Sequence, residues 1–314
     1  MLRFIARRLA ISIPVLFIIL LATFILNELT PGDAATALAG DDASAEAIAA
    51  LREQLGLDRP WFIRFAEYLG AAVLGDLGTS IYSSTSVTAL ILTRLPVTLS
   101  LVVIVLVLAV VIGVPLGAWS AITKRPWVDK LITGVTVFTI AAPGFLIAIF
   151  LIVVFSIELG WLPPSGYVDL VKDPSRWVYH ITLPAIALAA TPAAELARMT
   201  RASVVDVMGS DYLRTARAKG LGPVKIFVKH AMKNASIPVV TIFGLLATRV
   251  IGGAVILEQI FNLPGIGTLT INSVLTRDAG VLMGVVAIVA VATLLINLLT
   301  DISYGYFNPS LRAR

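Results

Sequence analysis

The 314-residue chain contains no cysteine, which excludes disulfides, thiolate chemistry and cysteine-ligated metals. It has two histidines, His180 and His230, too few for a histidine-based metal site. Charge is scarce as well: 14% of residues are Asp, Glu, Lys or Arg, against 58% hydrophobic. No G-x-x-x-x-G-K-[ST] occurs, so no loop here can cradle nucleotide phosphates in that way. The apolar stretches offer no paired carboxylates and no nucleophile beside a base, which argues against an enzyme. What is abundant is apolar sequence. Mean hydropathy is +0.94, and several runs reach the roughly 20 residues needed to cross a bilayer.

The expected fold is therefore all-α, a polytopic membrane protein. Arg3, Arg7 and Arg8 precede an apolar run to Leu29. A signal peptide with a cleavage site at Ala37-Leu38-Ala39 is one reading, but an h-region is only about 7–15 residues. A retained first helix over 1–29 fits better. Residues 30–96 are acidic and not membrane-like, and they read as a small helical insertion outside the membrane. Ser44 caps a helix through Leu55 that Gly56 ends, Pro60-Trp61 opens another towards Val73, and Gly75 to Gly78 is a turn. Trp61, Phe62, Phe65, Tyr68 and Leu69 recur at helical spacing, a packing stripe.

Further spans are expected over 97–122, 131–159 with a kink at Pro143-Gly144, from Ile181 onward, 237–260 and 281–299. Residues 97–303 form the five-helix core, and 304–314 a tail carrying Arg312 and Arg314. This arrangement puts sixteen of the 24 Lys and Arg on one side and seven on the other, with Arg249 inside a span. Lys and Arg concentrate on cytoplasmic loops, so both termini are expected inside. The pI near 9.6 then reflects inner loops, not a nucleic-acid partner.

One loop stands apart. Residues 205–237 carry Arg214, Arg217, Lys219, Lys225, Lys229 and Lys233 around a short segment from Asp211 to Leu221. Ser210 or Asp211 suits an N-cap, Gly220 the left-handed position ending the helix, and Pro223 the first turn of the next. At two to three turns it is too short to span, so it reads as a docking element outside the hydrocarbon. A plain positive-inside reading carries most weight for Lys225, Lys229 and Lys233.

Arg214-Thr215-Ala216, three residues, Gly220, nine residues and His230-Ala231-Met232-Lys233 have the spacing of a known signature. The loop resembles the E-A-A-x3-G-x9-I-x-L-P coupling loop of bacterial ABC-importer permeases. Arg214 and Thr215 stand for Glu and Ala, and His230, Met232 and Lys233 for Ile, Leu and Pro. Those departures resemble the peptide branch, whose loops read D/E-Y-x-R-T-A-R-A-K-G-L. RFIARRLAISIPVLFIIL, LGLDRPWFIRFAEYLGAAVLGDLGTSI, RLPVTLSL and EQIFNLPGIGTL are likewise similar to the B-type subunit of dipeptide and oligopeptide ABC importers.

The resemblance implies a type I importer permease fold with six transmembrane helices in the bacterial cytoplasmic membrane. It implies a heterodimer with a second homologous permease subunit, two ATP-binding ABC subunits, and an extracytoplasmic substrate-binding protein or lipoprotein. ATP and Mg would sit on the ATPases, with no cofactor on this chain. Asp211, Tyr212, Leu213, Arg214, Thr215, Ala216, Arg217, Lys219, Gly220 and Leu221 would then be the ATPase-coupling residues. Tyr212, Leu213 and Ala216 would form the packing face of that helix, and Arg214, Arg217 and Lys219 its polar contacts. Di- or oligopeptides are the implied cargo. Related systems carry nickel complexes, glutathione, haem or oligosaccharides.

Arg249 is the one charge well inside a span. It either lines the pathway, attracting a peptide carboxylate, or forms an ion pair with Glu195, Asp301 or an acid of the partner permease. Glu258 and Asn297 are further pathway candidates. Asn262, Pro264 and Gly265 belong to a turn-rich segment expected to shape an outer gate, with tight turns at Gly265 and Gly267. Gly244, Gly252 and Gly253 are expected at close helix contacts. A secondary transporter or channel would show a polar chain through the membrane centre or inverted repeats of broken helices, which this sequence lacks. A membrane scaffold would need neither the basic loop nor an intramembrane Arg.

Overall fold

The structure, a computed structural model, describes residues 2–30, 34–40 and 43–307. The expected tail residues Arg312 and Arg314 lie outside the described residues, as do Asp33, Asp41 and Asp42. Among the described residues regular structure is helical, apart from one isolated antiparallel bridge between Thr79 and Ser86.

The first helix, α1 (Leu2–Leu29), is 28 residues and about 42 Å long. Its Ser12 and Thr23 hydroxyls donate to the carbonyls of Arg8 and Ile19 one turn back, which satisfies them inside an apolar helix. The insertion holds α2 (Ala34–Ala39), α3 (Ala45–Gln54) and α4 (Trp61–Val73). Ser44 accepts from the Ala47 N–H and Gly56 is left-handed at φ +66°, as cap chemistry required. The six-residue α2 is too short to show a period.

Helix α5 (Val87–Ile122) starts ten residues before the expected boundary at Val97. Its first turns bury Val87 and Ile91, so packing extends the helix past Arg94 and Pro96. Helices α6 (Pro126–Ala141) and α7 (Gly144–Leu151), the latter running into a π-helical segment Ile152–Glu158, make up the third span. The anticipated kink is a break of 105°. Ala142 is extended at φ −75°, ψ 128°, because the ring of Pro143 disfavours helical backbone just before it.

Helix α8 (Pro174–Met208) begins seven residues before Ile181, with Asp173 as its cap and Pro174 in the first turn. Then come α9 (Asp211–Ala218), α10 (Pro223–Lys225) with a π-helical segment Ile226–Ala231, and α11 (Met232–Ile260). Helix α12 (Ile266–Leu275), unforeseen because it is short and unpatterned, precedes α13 (Ala279–Phe307). Among the described residues five helices are long and apolar enough to cross a membrane, six segments if the bent pair counts as one.

By contacts the chain forms two compact units, residues 99–263 with 296 onward, and residues 2–98 with 264–295. This grouping is not the serial division expected from sequence. In the second unit, Phe65 of α4 meets Phe17 and Phe24 of α1 at 5.7 and 5.3 Å between ring centroids. Met283 and Ala287 of α13 join that cluster. Another cluster gathers Leu77, Val87, Ile91, Ile266, Val281 and Val285. The buried Ser80 hydroxyl donates to Asp278 at 2.6 Å. Trp61 and Phe62, expected in the stripe, are exposed.

In the first unit, α5 lies against α8 through glycines. A Cβ on Gly113 would stand 2.5 Å from the Ala193 carbonyl oxygen, and one on Gly117 2.2 Å from that of Ala197. Two glycines four residues apart facing two alanines four apart is the small-residue spacing of close membrane helix pairs. Of the three glycines expected at contacts on α11, Gly244 fits, since a Cβ there would meet Thr300 at 2.0 Å. Gly253 would meet Leu188 at 3.1 Å, and Gly252 faces open space.

Candidate functional site

Helix α9 is short, yet it is defined at both ends and on one face. Ser210 sits at the N-cap with extended backbone, but its hydroxyl donates to the Val207 carbonyl at 2.5 Å instead of capping. Asp211 is in the first turn and accepts from Arg214 at 3.4 Å, a solvated pair worth little. At the other end the N–H of Gly220 (φ +76°) donates to the Arg217 carbonyl and the N–H of Leu221 to that of Ala216. Those two bonds are a Schellman C-cap, and only a residue at ease with positive φ completes it.

Leu213 and Ala216, three residues apart, are the buried face, against Val207, Met208, Leu221, Ile226, Phe227 and Ala231. Tyr212, expected on that face, is exposed. Its hydroxyl accepts from the Asn234 side-chain amide at 2.7 Å and donates to the His230 carbonyl at 3.4 Å. Thr215 bonds back to the Asp211 carbonyl, and Arg217 donates to the carbonyl of Met208, the last residue of α8. Arg214, Arg217 and Lys219 are exposed. The result is a helix clamped between the ends of α8 and α11, presenting cations outward.

Deeper in the same unit, Arg249 of α11 donates to Glu195 of α8 at 3.2 Å. Of the anticipated partners, Glu195 is the one placed beside it. The Arg249 side chain nevertheless stays 61% exposed, while that of Glu195 is 15% exposed. The pair borders a cavity of about 230 Å3 with Gly144, Phe145, Thr191 and Pro192. Arg249 thus pairs and lines a cavity at once. Asn297 of α13 accepts from the Thr248 hydroxyl at 3.2 Å, beside Arg249 in sequence.

Other placements differ from expectation. Glu258, a pathway candidate by sequence, is wholly enclosed with 0% exposure. Its backbone carbonyl accepts from the Leu263 N–H, tying off the end of α11. The left-handed residue of the following turn is Asn262, at φ +50°, whereas Gly265 is at φ −100° and Gly267 lies within α12. The tight turns assigned to those glycines are therefore one turn at Asn262, whose short side chain tolerates this backbone. Pro264 is half-buried and Gly265 buried.

One polar cluster escaped the sequence reading. Arg201 of α8 grips Asp129 of α6 with two bonds, at 2.6 and 2.7 Å, and the Ser120 hydroxyl of α5 donates to the same carboxylate. A bidentate pair of this kind is among the stronger polar contacts. The available signal was a lone acid among Lys124, Arg125 and Lys130. No group of three or more His, Asp or Glu is gathered among the described residues.

These features, an exposed basic helix held by long apolar ones, coincide with a match to known sequences. A profile for the binding-protein-dependent transport system inner membrane component matches residues 113–313, and one for the N-terminal part of such components matches residues 1–102. The chain belongs to this family. It is a multi-pass inner-membrane permease component. The permease is 41% identical over 312 residues to the glutathione transport system permease protein of Shigella flexneri serotype 5b (strain 8401), covering 99% of both chains. It is 38% identical over 308 residues, 98% of both chains, to a Brucella abortus (strain 2308) protein named as a peptide transport system permease. In fold it is similar to the inward-facing MetNI methionine ABC transporter, with a TM-score of 0.58 at 16% identity over 70% of this chain and 96% of that one. An amino acid ABC transporter crystallised with histidines gives 0.53 at 18% identity, over 69% and 94%.

Proposed function

We propose that this permease forms half of the translocation pathway of an ATP-driven importer of di- or oligopeptides. A separate extracytoplasmic binding protein or lipoprotein delivers the cargo, and a second, homologous permease subunit completes the pathway. Two ABC ATPases hold ATP and Mg, and this chain binds neither. Both termini face the cytoplasm, which places α9 there too. The observation that carries this reading is α9 itself, with Leu213 and Ala216 buried and Arg214, Arg217 and Lys219 exposed where an ATPase surface would meet them. Its clamps to α8 and α11 let a rigid-body push reach the helices that carry Glu195 and Arg249. The names of the relatives support peptide cargo, and the glutathione permeases among them favour glutathione, itself a small peptide, as a second cargo.

The test is uptake of labelled peptide or glutathione by the reconstituted complex, with substrate-stimulated ATP hydrolysis read in parallel. Ala216→Glu puts a charge into the buried face, and Gly220→Pro cannot adopt φ +76°. Both should abolish uptake and stimulation while the permease stays in the membrane. Unchanged ATP-dependent uptake in both would reduce the loop to a charge anchor. Transport that ignores ATP would make the protein a secondary transporter.

A further inference from the structure

Arg249 lies in the middle of the 29-residue α11, where an ionised side chain against acyl chains is costly. Yet 61% of it is exposed on this chain. Its free face must therefore meet water or protein, not lipid. Among the described residues Glu195 is its only partner, through one Nη1–Oε1 contact of 3.2 Å. A guanidinium carries five N–H donors in a planar fork, so most of that fork is unused. Glu195 is 15% exposed, held behind the Arg and not beside it in the open.

What lies in front is space with an uneven wall. The cavity of about 230 Å3 is smaller than the roughly 300–1,000 Å3 of ordinary ligand pockets. It suits one end of a chain, not a whole oligopeptide. Gly144, at the start of α7, borders it, and a Cβ there would meet nothing within 4 Å. That glycine leaves volume which no packing contact requires. Thr191 adds a hydroxyl, and Phe145 and Pro192 are apolar parts of its lining.

We infer that Arg249, Glu195 and this cavity form a weak-binding station for a free carboxylate, such as the C-terminus of a peptide in transit. The inference rests on the transport reading above. The carboxylate takes the open side of the guanidinium, where a fork-to-fork pair can form. Glu195 has two effects. It orients the guanidinium, and it competes for the same positive charge, which keeps the station shallow enough for cargo to leave. Conduction needs sites favourable enough to enter and weak enough to depart. An ion pair complete within this chain would not need its cation open to a cavity.

This arrangement makes the two charges behave oppositely, which a structural pair cannot do. The experiment measures saturable binding of labelled di-alanine to the purified importer complex without its binding protein, with di-alanine amide as competitor. In the wild type the amide should compete about tenfold less well, the value of one charged contact. Arg249→Gln should lose about tenfold in binding and stop distinguishing peptide from amide. Glu195→Gln should bind di-alanine more tightly, while its maximal uptake rate falls and its KM for loaded binding protein is unchanged. Gly144→Leu, which fills the cavity and touches neither charge, should lower binding at normal yield of complex.

Equal competition by the amide would overturn the inference. So would loss of binding in Glu195→Gln to match Arg249→Gln, with both recovered in the charge-swapped double variant, the behaviour of a structural pair. ATP-dependent uptake without any saturable, carboxylate-dependent binding would remove the station and leave the importer reading standing. Failure of the wild type to import any peptide would instead remove the importer reading.

Discussion

Gly117 shows how little room one residue can decide. Its position against the Ala197 carbonyl leaves 2.2 Å for a Cβ, and the obstacle is backbone, which cannot swing aside. Gly117→Ala should therefore separate α5 from α8 and cost about 1–3 kcal/mol, read as a fall in the melting midpoint of the purified complex. Gly134→Ala, where nothing stands within 4 Å, is the matched control and should be neutral or better. Asp173, capping α8, makes a pH prediction. The Arg176 N–H and the Ser175 hydroxyl, with Arg176's charge nearby, hold its carboxyl below the ordinary value, against a smaller desolvation effect. A depressed folded pKa stabilises the cap at neutral pH, and that support disappears as pH falls below the usual aspartate value of about 3.9. Amide protection factors in the first turn of α8 should fall in that acid range, and Asp173→Ala should show the lowered protection already at neutral pH.

At the scale of elements, α9 was the most legible part of the chain. Gly220, Pro223 and the three-residue spacing of Leu213 and Ala216 carry local chemistry that no distant contact needs to supply. Tyr212 differs from its expected packing, because an aromatic next to a buried Leu looks like core until its hydroxyl finds Asn234 twenty-two residues on. That bond joins α9 to the first turns of α11. Tyr212→Phe keeps the ring and removes the link, so ATP hydrolysis should continue while uptake per ATP falls, compared in the same vesicles. Equal coupling in both proteins would show that the buried Leu213 face alone transmits the movement. The third span is a second lesson of this kind. Pro143 announced a bend, but its 105° depends on neighbours that let α6 and α7 diverge.

The absence of cysteine turns the whole molecule into a topology instrument. Single cysteines placed at the exposed residues Lys124, Lys229 and Ser175 can be probed with a membrane-impermeant thiol reagent on intact cells. Ser175→Cys should label from outside, and Lys124→Cys and Lys229→Cys only after the membrane is opened. The reverse pattern would invert the orientation and take α9 away from any cytoplasmic ATPase. The two compact units add a further point. Residues 264–295 belong with the N-terminal helix and insertion, although residues 99–263 lie between them in the chain.

By itself the sequence determined the all-helical class, the six apolar segments, the helix caps at Ser44, Gly56 and Gly220, and the membership that the basic loop announces. Each of these rests on local chemistry or on composition: run length against bilayer thickness, φ against side chain, charge against membrane side. Tertiary structure decided the partners. That Arg249 faces Glu195, that Arg201 grips Asp129, and that Glu258 is enclosed are all choices among groups distant in the chain. Charge pairing has no fixed sequence period, and the free energy of burying an ion depends on which helices come together around it. Only the packed chain supplies that answer.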